Sequence, residues 1–272
     1  MHGKENLTGN GKNYLVIMNM VKERKALVIR SPGTNCDEEM SNALNLAGFR
    51  AEKMHLNELF KNKSKLHDYS LLAISGGFSY GDYLGSGKVF ANKLRFKLKP
   101  ELKKFISEEK LILGICNGFQ ILVKSGLLPA INNDYFNQQG TLTFNSTGRF
   151  QCEWGFVKTV SKKSVFLKGI NRMYLPIAHA EGRFLPADKN VLAEIEKNDL
   201  IALKYENNPT GTTKGIAGLT NETGLILGMM PHPERNISWL NDPRSIGNEN
   251  KQIFSDGLQV FKNAFSHAKK KL

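Results

Sequence analysis

The fold is decided by one short stretch of the chain, Leu111-Ile112-Leu113-Gly114-Ile115-Cys116-Asn117-Gly118-Phe119-Gln120. Its apolar first half predicts a buried strand, and the residues after Cys116 predict a helix that begins with no loop in between. The glycines two positions before and after the cysteine allow strand and helix to pack closely at a sharp turn. Such a nucleophile elbow projects its side chain outward above a helix N-terminus, a setting that favours reactive cysteines. The pattern predicts that Cys116 is a nucleophile.

The residues before the elbow alternate between predicted strands and helices. Residues 25–29 predict a buried strand, and apolar residues at positions 40, 43, 44 and 47 predict a helix that ends at Gly48. Further strands at 51–56 and 71–74, and helical segments on either side of Pro100, lead to the elbow strand. Regular alternation of this kind predicts an α/β fold with a central parallel sheet and helices on both faces.

After Pro129 the pattern becomes rich in short strands. Strand candidates lie near 141–144, 152–160, 173–178, 191–195, 200–205, 215–220 and 225–229. The chain closes on a predicted helix with one apolar stripe, formed by Phe254, Leu258, Phe261 and Phe265. We therefore expect one domain over residues 25–272, with a mostly parallel sheet and a β-rich second half.

Composition limits the class of protein. The 272 residues include three cysteines without a C-x-x-C pair, which argues against a disulfide framework or a zinc knuckle and favours a cytoplasmic location. Residues 1–24 hold an apolar run too short for a signal peptide or a membrane span, so we interpret them as a flexible N-terminal extension. The net charge of +13 suggests nucleic acid, but its lysines are scattered or terminal, without an aromatic platform, so no nucleic-acid partner is expected.

A candidate base and carboxylate lie far downstream, in Pro231-His232-Pro233-Glu234. The prolines are expected to hold this segment extended, which presents alternate side chains on one side and brings Glu234 to the imidazole of His232. A Cys-His-Glu set suits nucleophilic catalysis, in which the imidazole takes the thiol proton. His179 is a second candidate base, but nothing local fixes its tautomer, and a turn or interface role is favoured. Because no paired histidine spacing occurs, no metal site is expected.

The other two cysteines have simpler interpretations. Cys36 precedes three acidic residues, which oppose a thiolate, and Cys152 lies on a strand-like run where packing is the default role. Neither has the elbow glycines of Cys116.

A glycine-rich segment spans residues 75–87. It matches neither the phosphate-loop pattern nor the dinucleotide fingerprint, because Gly87-Lys88 is followed by valine and no G-x-G-x-x-G fits. At the end of a strand, Gly76-Gly77 is instead expected to turn a backbone N–H toward the elbow. With the N–H of Asn117, Gly77 would then complete an oxyanion hole.

Together these motifs resemble the class I glutamine amidotransferases and, among them, the glutaminase subunits of phosphoribosylformylglycinamidine synthase. The resemblance covers residues 25–268. The motifs that carry it are Ser31-Pro32-Gly33-Thr34-Asn35-Cys36-Asp37, Gly76-Gly77-Phe78-Ser79-Tyr80-Gly81-Asp82, Gly114-Ile115-Cys116-Asn117-Gly118-Phe119-Gln120, Gly148-Arg149-Phe150 and Met230-Pro231-His232-Pro233-Glu234-Arg235.

The resemblance implies a flavodoxin-like fold with the elbow at the carboxyl edge of a central strand. It implies that Cys116 attacks the side-chain amide of L-glutamine, that His232 transfers the proton and that Glu234 orients the imidazole. It also implies that glutamine is held by Gln120 and by the segment Phe78, Ser79, Tyr80 and Asp82.

The resemblance further implies a separate synthetase subunit, often joined by a small bridging subunit. That synthetase would use ATP and Mg²⁺ and receive ammonia, while this chain would bind no cofactor. Two alternatives remain at this point. One is an elbow-cysteine amidotransferase or γ-glutamyl peptidase of another pathway, and the other is a non-catalytic docking subunit with the same fold.

Overall fold

The computed structural model of the protein describes residues 23–247 and 256–270. Most of the predicted N-terminal extension, residues 1–22, lies outside the described residues, as does Phe254 of the predicted C-terminal stripe. The strands are β1 (Lys25–Arg30), β2 (Arg50–His55), β3 (Leu71–Ile74), β4 (Leu111–Ile115), β5 (Gly140–Thr143), β6 (Gln151–Thr159), β7 (Arg172–His179), β8 (Arg183–Pro186), β9 (Ile201–Tyr205), β10 (Ile216–Thr220) and β11 (Ile226–Met229). The α-helices are α1 (Asp37–Ala47), α2 (Leu56–Lys61), α3 (Lys88–Lys97), α4 (Lys99–Ser107), α5 (Asn117–Ser125), α6 (Lys189–Lys197) and α7 (Leu258–Lys270).

Within the described ranges, nine strands form one sheet in the order β2-β1-β3-β4-β11-β10-β9-β6-β7, and β5 pairs separately with β8. The first five strands of this order run parallel, and the strands from β10 to β7 continue the sheet in antiparallel pairs. The residues of β3, β4 and β11 are all buried, as expected for parallel strands covered on both faces. The predicted α/β fold with a β-rich second half is confirmed.

The parallel half of the sheet brings three distant segments to one edge. Strand β4 lies between β3 and β11, with Ile74 opposite Gly114 and Met229 opposite Ile115. Because parallel neighbours end at the same edge, the residues that follow these strands lie close together. The glycine pair follows β3, Cys116 follows β4 and Pro231-His232-Pro233-Glu234 follows β11.

Two helices confirm their sequence patterns. Helix α1 buries the predicted apolar positions and ends at Gly48, whose φ of 112° is a left-handed conformation that favours glycine. Helix α7 packs against α1. From α7, Phe261 is buried in the core, and Phe265 makes an edge-to-face contact with Phe49 at a centroid distance of 5.2 Å, so these two residues of the C-terminal stripe pack on the core.

The strand predicted at 191–195 is wrong, because these residues belong to helix α6. The side chain of Asp188 accepts a hydrogen bond from the Val191 N–H at 2.8 Å and so caps the helix. Only Ile195 of this helix is fully buried; Val191 and Leu192 lie on the same helical face and are half-buried, whereas Ala193 is exposed. Strand β8, which the sequence did not predict, follows β7 and pairs with β5.

Candidate active site

The elbow holds Cys116 in a strained backbone conformation between β4 and α5. Its φ of 52° and ψ of −106° are rare for a residue with a side chain and cost about 1–3 kcal/mol. The flanking glycines make this possible: a β-carbon at Gly118 would lie 1.9 Å from the carbonyl oxygen of Ile74, and one at Gly114 would lie 2.7 Å from the Gly118 carbonyl. The predicted close approach of strand and helix is therefore present.

The Cys116 side chain reaches a cavity of about 270 Å³. Only 5% of the residue is exposed, so the cavity is the route by which a substrate meets the thiol. The thiol donates a hydrogen bond to the carbonyl of Ala178 at 3.7 Å. The cavity is lined by Gly77, Phe78, Asp82, Ser86, Cys116, Gln120, Phe144, Ala178, His179, Ala180 and Glu181.

Next to the elbow, His232 and Glu234 form a buried pair. Nδ1 of His232 lies 2.6 Å from Oε1 of Glu234, and each residue is 1% exposed. The sequence predicted that this segment is extended, and that prediction is wrong. Pro233–Arg235 forms a 3₁₀ turn, so the carboxylate reaches the ring by turning back toward it. The His232 N–H donates to the Pro176 carbonyl at 2.9 Å, which fixes the start of this turn against β7.

Charge around His232 favours the imidazolium. Burial opposes the charged form, but Glu234 and the thiols of Cys116 and Cys36 outweigh it and raise the pKa of His232 well above its ordinary value. Its second ring nitrogen, Nε2, is buried and without a hydrogen-bond partner. The Cys116 thiol is among the groups that raise the pKa of His232, so it lies close to the imidazole, as proton transfer between them requires.

Two backbone N–H groups were predicted to form an oxyanion hole. Gly77 lines the cavity beside Cys116, and its φ is 141°. It pairs with Thr34 through an isolated β-bridge. A β-carbon there would lie 2.6 Å from the Gly33 carbonyl oxygen, so only glycine fits. Asn117 is the first residue of α5, where backbone N–H groups have no acceptor within the helix. The oxyanion-hole assignment stays a prediction.

The structure separates the five predicted glutamine-binding residues into two groups. Phe78, Asp82 and Gln120 line the cavity. Ser79 is buried, and its N–H donates to the side-chain oxygen of Asn117 at 3.3 Å. The Tyr80 hydroxyl accepts a hydrogen bond from Lys93 at 3.1 Å. Ser79 and Tyr80 therefore contact the supporting framework, and the binding role of all five residues stays a prediction.

Sequence reasoning missed a buried ion pair beside the cavity. Nζ of Lys124 lies 3.4 Å from the Glu181 carboxylate and donates to the Ser86 carbonyl at 2.7 Å. The same carboxylate accepts the Ser86 N–H at 3.1 Å, and the Glu181 carbonyl accepts from Gln120 at 2.7 Å. Burial lowers the pKa of Lys124, while Glu181 opposes this shift. The only sequence signal was a glutamate followed by glycine just after a predicted strand.

Two residues differ from their sequence interpretations. His179 is the last residue of strand β7 and not part of a turn, and it is buried and lines the cavity; burial, with a smaller effect of His232, lowers its pKa to about 3. Cys152 was expected to pack, but its side chain is exposed because its strand, β6, presents that position to solvent.

Comparisons with known proteins decide the family. The CobB/CobQ-like glutamine amidotransferase domain matches residues 23–268. A phosphoribosylformylglycinamidine synthase subunit PurQ from Dehalococcoides mccartyi is 42% identical over 252 residues, which covers 90% of this chain and 98% of that protein. This chain belongs to the PurQ family of glutamine amidotransferases.

Further comparisons support the same family. PurQ from Methanococcus maripaludis is 39% identical over 267 residues, covering 90% of this chain and 99% of that protein. The structure of PurLQS from Thermotoga maritima superposes with a TM-score of 0.71 and 33% identity over 90% of this chain and 99% of that one. A second glutamine amidotransferase from Thermotoga maritima, with a TM-score of 0.55 and 18% identity, shows the fold alone.

No helix within 23–247 or 256–270 is long and apolar enough to cross a membrane.

Proposed function

We propose that this chain is the glutaminase subunit of phosphoribosylformylglycinamidine synthase. It hydrolyses L-glutamine to glutamate and ammonia, and the ammonia passes to a synthetase subunit that amidates formylglycinamide ribonucleotide in purine biosynthesis. The observation that carries the proposal is the strained Cys116 at the cavity with the His232–Glu234 pair behind it. The names of the PurQ relatives and the PurLQS neighbour support the same pathway and partner.

In the proposed mechanism, the Cys116 sulfur attacks the side-chain amide carbon of glutamine while His232 holds the thiol proton. The tetrahedral intermediate collapses when the imidazolium gives this proton to the departing nitrogen, which leaves as ammonia. The product is a glutamyl thioester on Cys116. His232 then takes a proton from water, and the resulting hydroxide attacks the thioester to release glutamate and restore the thiol.

The negative oxygen of each tetrahedral intermediate would lie between the N–H groups of Gly77 and Asn117. Loss of one such donor costs about 3 kcal/mol in other enzymes, so a small change in the Gly77 peptide would itself control the rate. Phe78, Asp82 and Gln120 would contact the bound glutamine directly, whereas Ser79 and Tyr80 would hold the loop that carries Asp82.

Free ammonia becomes protonated in water and is then not a nucleophile, so it should pass directly between the two subunits. ATP and Mg²⁺ would bind to the synthetase, and this chain would need no cofactor. A small bridging subunit would join the assembly. The scarcity of cysteines and the purine pathway both fit a cytoplasmic complex.

The proposal is tested by measuring glutamate formation from L-glutamine with and without the synthetase subunit of the same organism. The wild-type chain should turn over slowly alone and much faster when docked, because it carries no acceptor for ammonia. Cys116→Ser should abolish turnover in both states. Cys152→Ser is the matched control, since this exposed thiol lies outside the cavity lining, and it should behave like wild type.

The alternatives give different results. Undiminished turnover by the Cys116→Ser chain would reject the thioester mechanism. Strong glutaminase or peptidase activity that the synthetase leaves unchanged would favour an enzyme of another pathway. Complex formation without any glutamate release by the wild-type chain would indicate a docking subunit.

A further inference from the structure

Cys36 is a buried thiol that the proposed mechanism does not use. It lies at the start of α1 and is 1% exposed. Its sulfur, one ring nitrogen of His232 and one carboxylate oxygen of Glu234 all lie within 4.8 Å of one another. A second thiol therefore lies close to the candidate base, although its segment is almost two hundred residues away in the sequence.

The sulfur of Cys36 is held by polar contacts on two sides. Nη2 of Arg235 donates to it at 2.9 Å, and the thiol itself donates to the side-chain oxygen of Asn35 at 3.1 Å. A cysteine that serves only as a small apolar side chain does not require a guanidinium as partner. Burial opposes the charge of Arg235, but Cys36 and Glu234 raise the pKa of its guanidinium, so the cation stays in place beside the base.

The backbone of the same segment is attached to the glycine loop. The N–H groups of Asn35 and Cys36 both point to the Gly76 carbonyl at 3.3 Å. A β-carbon at Gly76 would lie 3.1 Å from the Cys36 sulfur, 2.9 Å from Cε1 of His232 and 3.4 Å from the β-carbon of Cys116. The Cys36 sulfur, the His232 imidazole and the Cys116 β-carbon therefore surround Gly76 so closely that they leave little room for a side chain there.

We propose that Cys36 is a positioning residue, which holds the His232 imidazole in line with Cys116 and couples it to the loop that carries Gly77. Two other roles fit the contacts less well. Cys36 does not line the cavity, which argues against a second nucleophile. The Arg235 cation on its sulfur would repel a divalent metal ion. This inference rests on the proposed glutaminase activity.

A pH effect separates positioning from simple packing. The titratable and charged groups around His232 are Glu234 in its own turn, Cys116 at the elbow, Cys36 just before α1, His179 from β7 and the Arg235 guanidinium on the Cys36 sulfur. Among these, Cys36 helps to keep the imidazole protonated. Its removal should lower the pKa of His232. Since activity at high pH is lost when the imidazolium deprotonates, the alkaline limb of the rate profile should move to lower pH.

The experiment compares wild type, Cys36→Ala, Cys36→Ser and the surface control Cys152→Ser, each in complex with the synthetase. Steady-state kinetics with L-glutamine give kcat, KM and the pH profile of kcat/KM. We expect Cys36→Ala to lower kcat by about 10-fold with little change in KM, because the base is misplaced. Cys36→Ser should recover most of the rate, since a hydroxyl can accept from Arg235 and donate to Asn35. Cys152→Ser should match wild type.

A second measurement does not depend on activity. NMR titration of the His232 ring in the resting chain should give a lower pKa in Cys36→Ala than in wild type. Wild-type kinetics and an unchanged His232 titration in Cys36→Ala would overturn the inference, as would a rise in KM alone. Lower thermal stability with an unchanged titration would also overturn it, by assigning Cys36 to packing. A wild-type chain that fails to hydrolyse glutamine would instead overturn the proposed function, while the titration still tests the contact.

Discussion

At the scale of single residues, the site combines strain at the nucleophile with burial at the base. Cys116 has a backbone conformation that only a tightly packed elbow can maintain, and His232 keeps its proton because Glu234 and two neighbouring thiols compensate for burial. His179, which lines the same cavity, shows the opposite behaviour, because it is buried without a carboxylate partner and its pKa falls to about 3.

His179 should therefore destabilise the fold in mild acid. Between pH 6.5 and about 3, the unfolded chain binds a proton at this residue that the folded chain does not, so the free energy of unfolding falls as the pH decreases. From pH 7 to pH 5 this loss is about 2 kcal/mol. In urea unfolding at both pH values, the loss from pH 7 to pH 5 should be larger in wild type than in His179→Asn by about this amount.

The control for this experiment is His55→Asn. His55 caps α2 by accepting the Asn57 N–H, a role that asparagine also fills, so this variant should keep the acid sensitivity of wild type. Equal acid sensitivity in wild type and His179→Asn would show that His179 is readily protonated in the folded chain.

At the scale of secondary-structure elements, the junction of β3, β4 and α5 determines the site. Gly118→Ala would place a β-carbon 1.9 Å from the Ile74 carbonyl oxygen, and a backbone clash of this kind cannot be relieved by a side-chain rotation. We expect a loss of about 2 kcal/mol or more in the free energy of unfolding, measured by urea titration. Glutaminase activity should fall more than about 10-fold, because the elbow must shift.

Gly155→Ala is the matched control for the elbow substitution. Its β-carbon would meet only the flexible end of Ile177, so stability and activity should stay close to wild type. A Gly118→Ala chain as stable and as active as Gly155→Ala would contradict the close packing at the elbow.

The loop between β3 and α3 depends on the ion pair of Lys124 and Glu181, which binds both backbone polar groups of Ser86. Lys124→Met would leave a buried carboxylate without its cation and the Ser86 carbonyl without a donor. We expect a loss of about 3 kcal/mol in the free energy of unfolding. Lys197→Met removes an exposed ion pair with Glu194 and should cost less than about 1 kcal/mol. Equal losses in urea titrations of the two variants would refute the structural role of the buried pair.

Local patterns predicted most elements because buried strands and amphipathic helices leave a periodic signal. The elbow strand, α1 and the parallel half of the sheet all followed from such signals. The segment 191–195 did not, because its β-branched residues hid a helix whose only clear signal was the cap at Asp188. Glu181 and Cys36 were missed for another reason. Their partners, Ser86 and Arg235, are remote in sequence, so only the folded chain brings them together.

At the scale of the whole molecule, the sheet order explains how one reactive centre forms from three distant segments. The strands before the glycine pair, the nucleophile and the base are neighbours in the parallel half, so their carboxyl ends converge. The antiparallel half extends the same sheet and supplies His179 and Glu181 to the cavity. Membership in the PurQ family agrees with this arrangement.

The most direct test of the central claim is acid-quench mass spectrometry of the synthetase-bound chain during turnover of L-glutamine. Peptide mapping should find a hydroxylamine-sensitive glutamyl group on the peptide that contains Cys116, and none on the peptides that contain Cys36 or Cys152. A glutamyl group on either of the other two cysteines, or glutamate release that continues in Cys116→Ser, would contradict the assignment of Cys116 as the nucleophile.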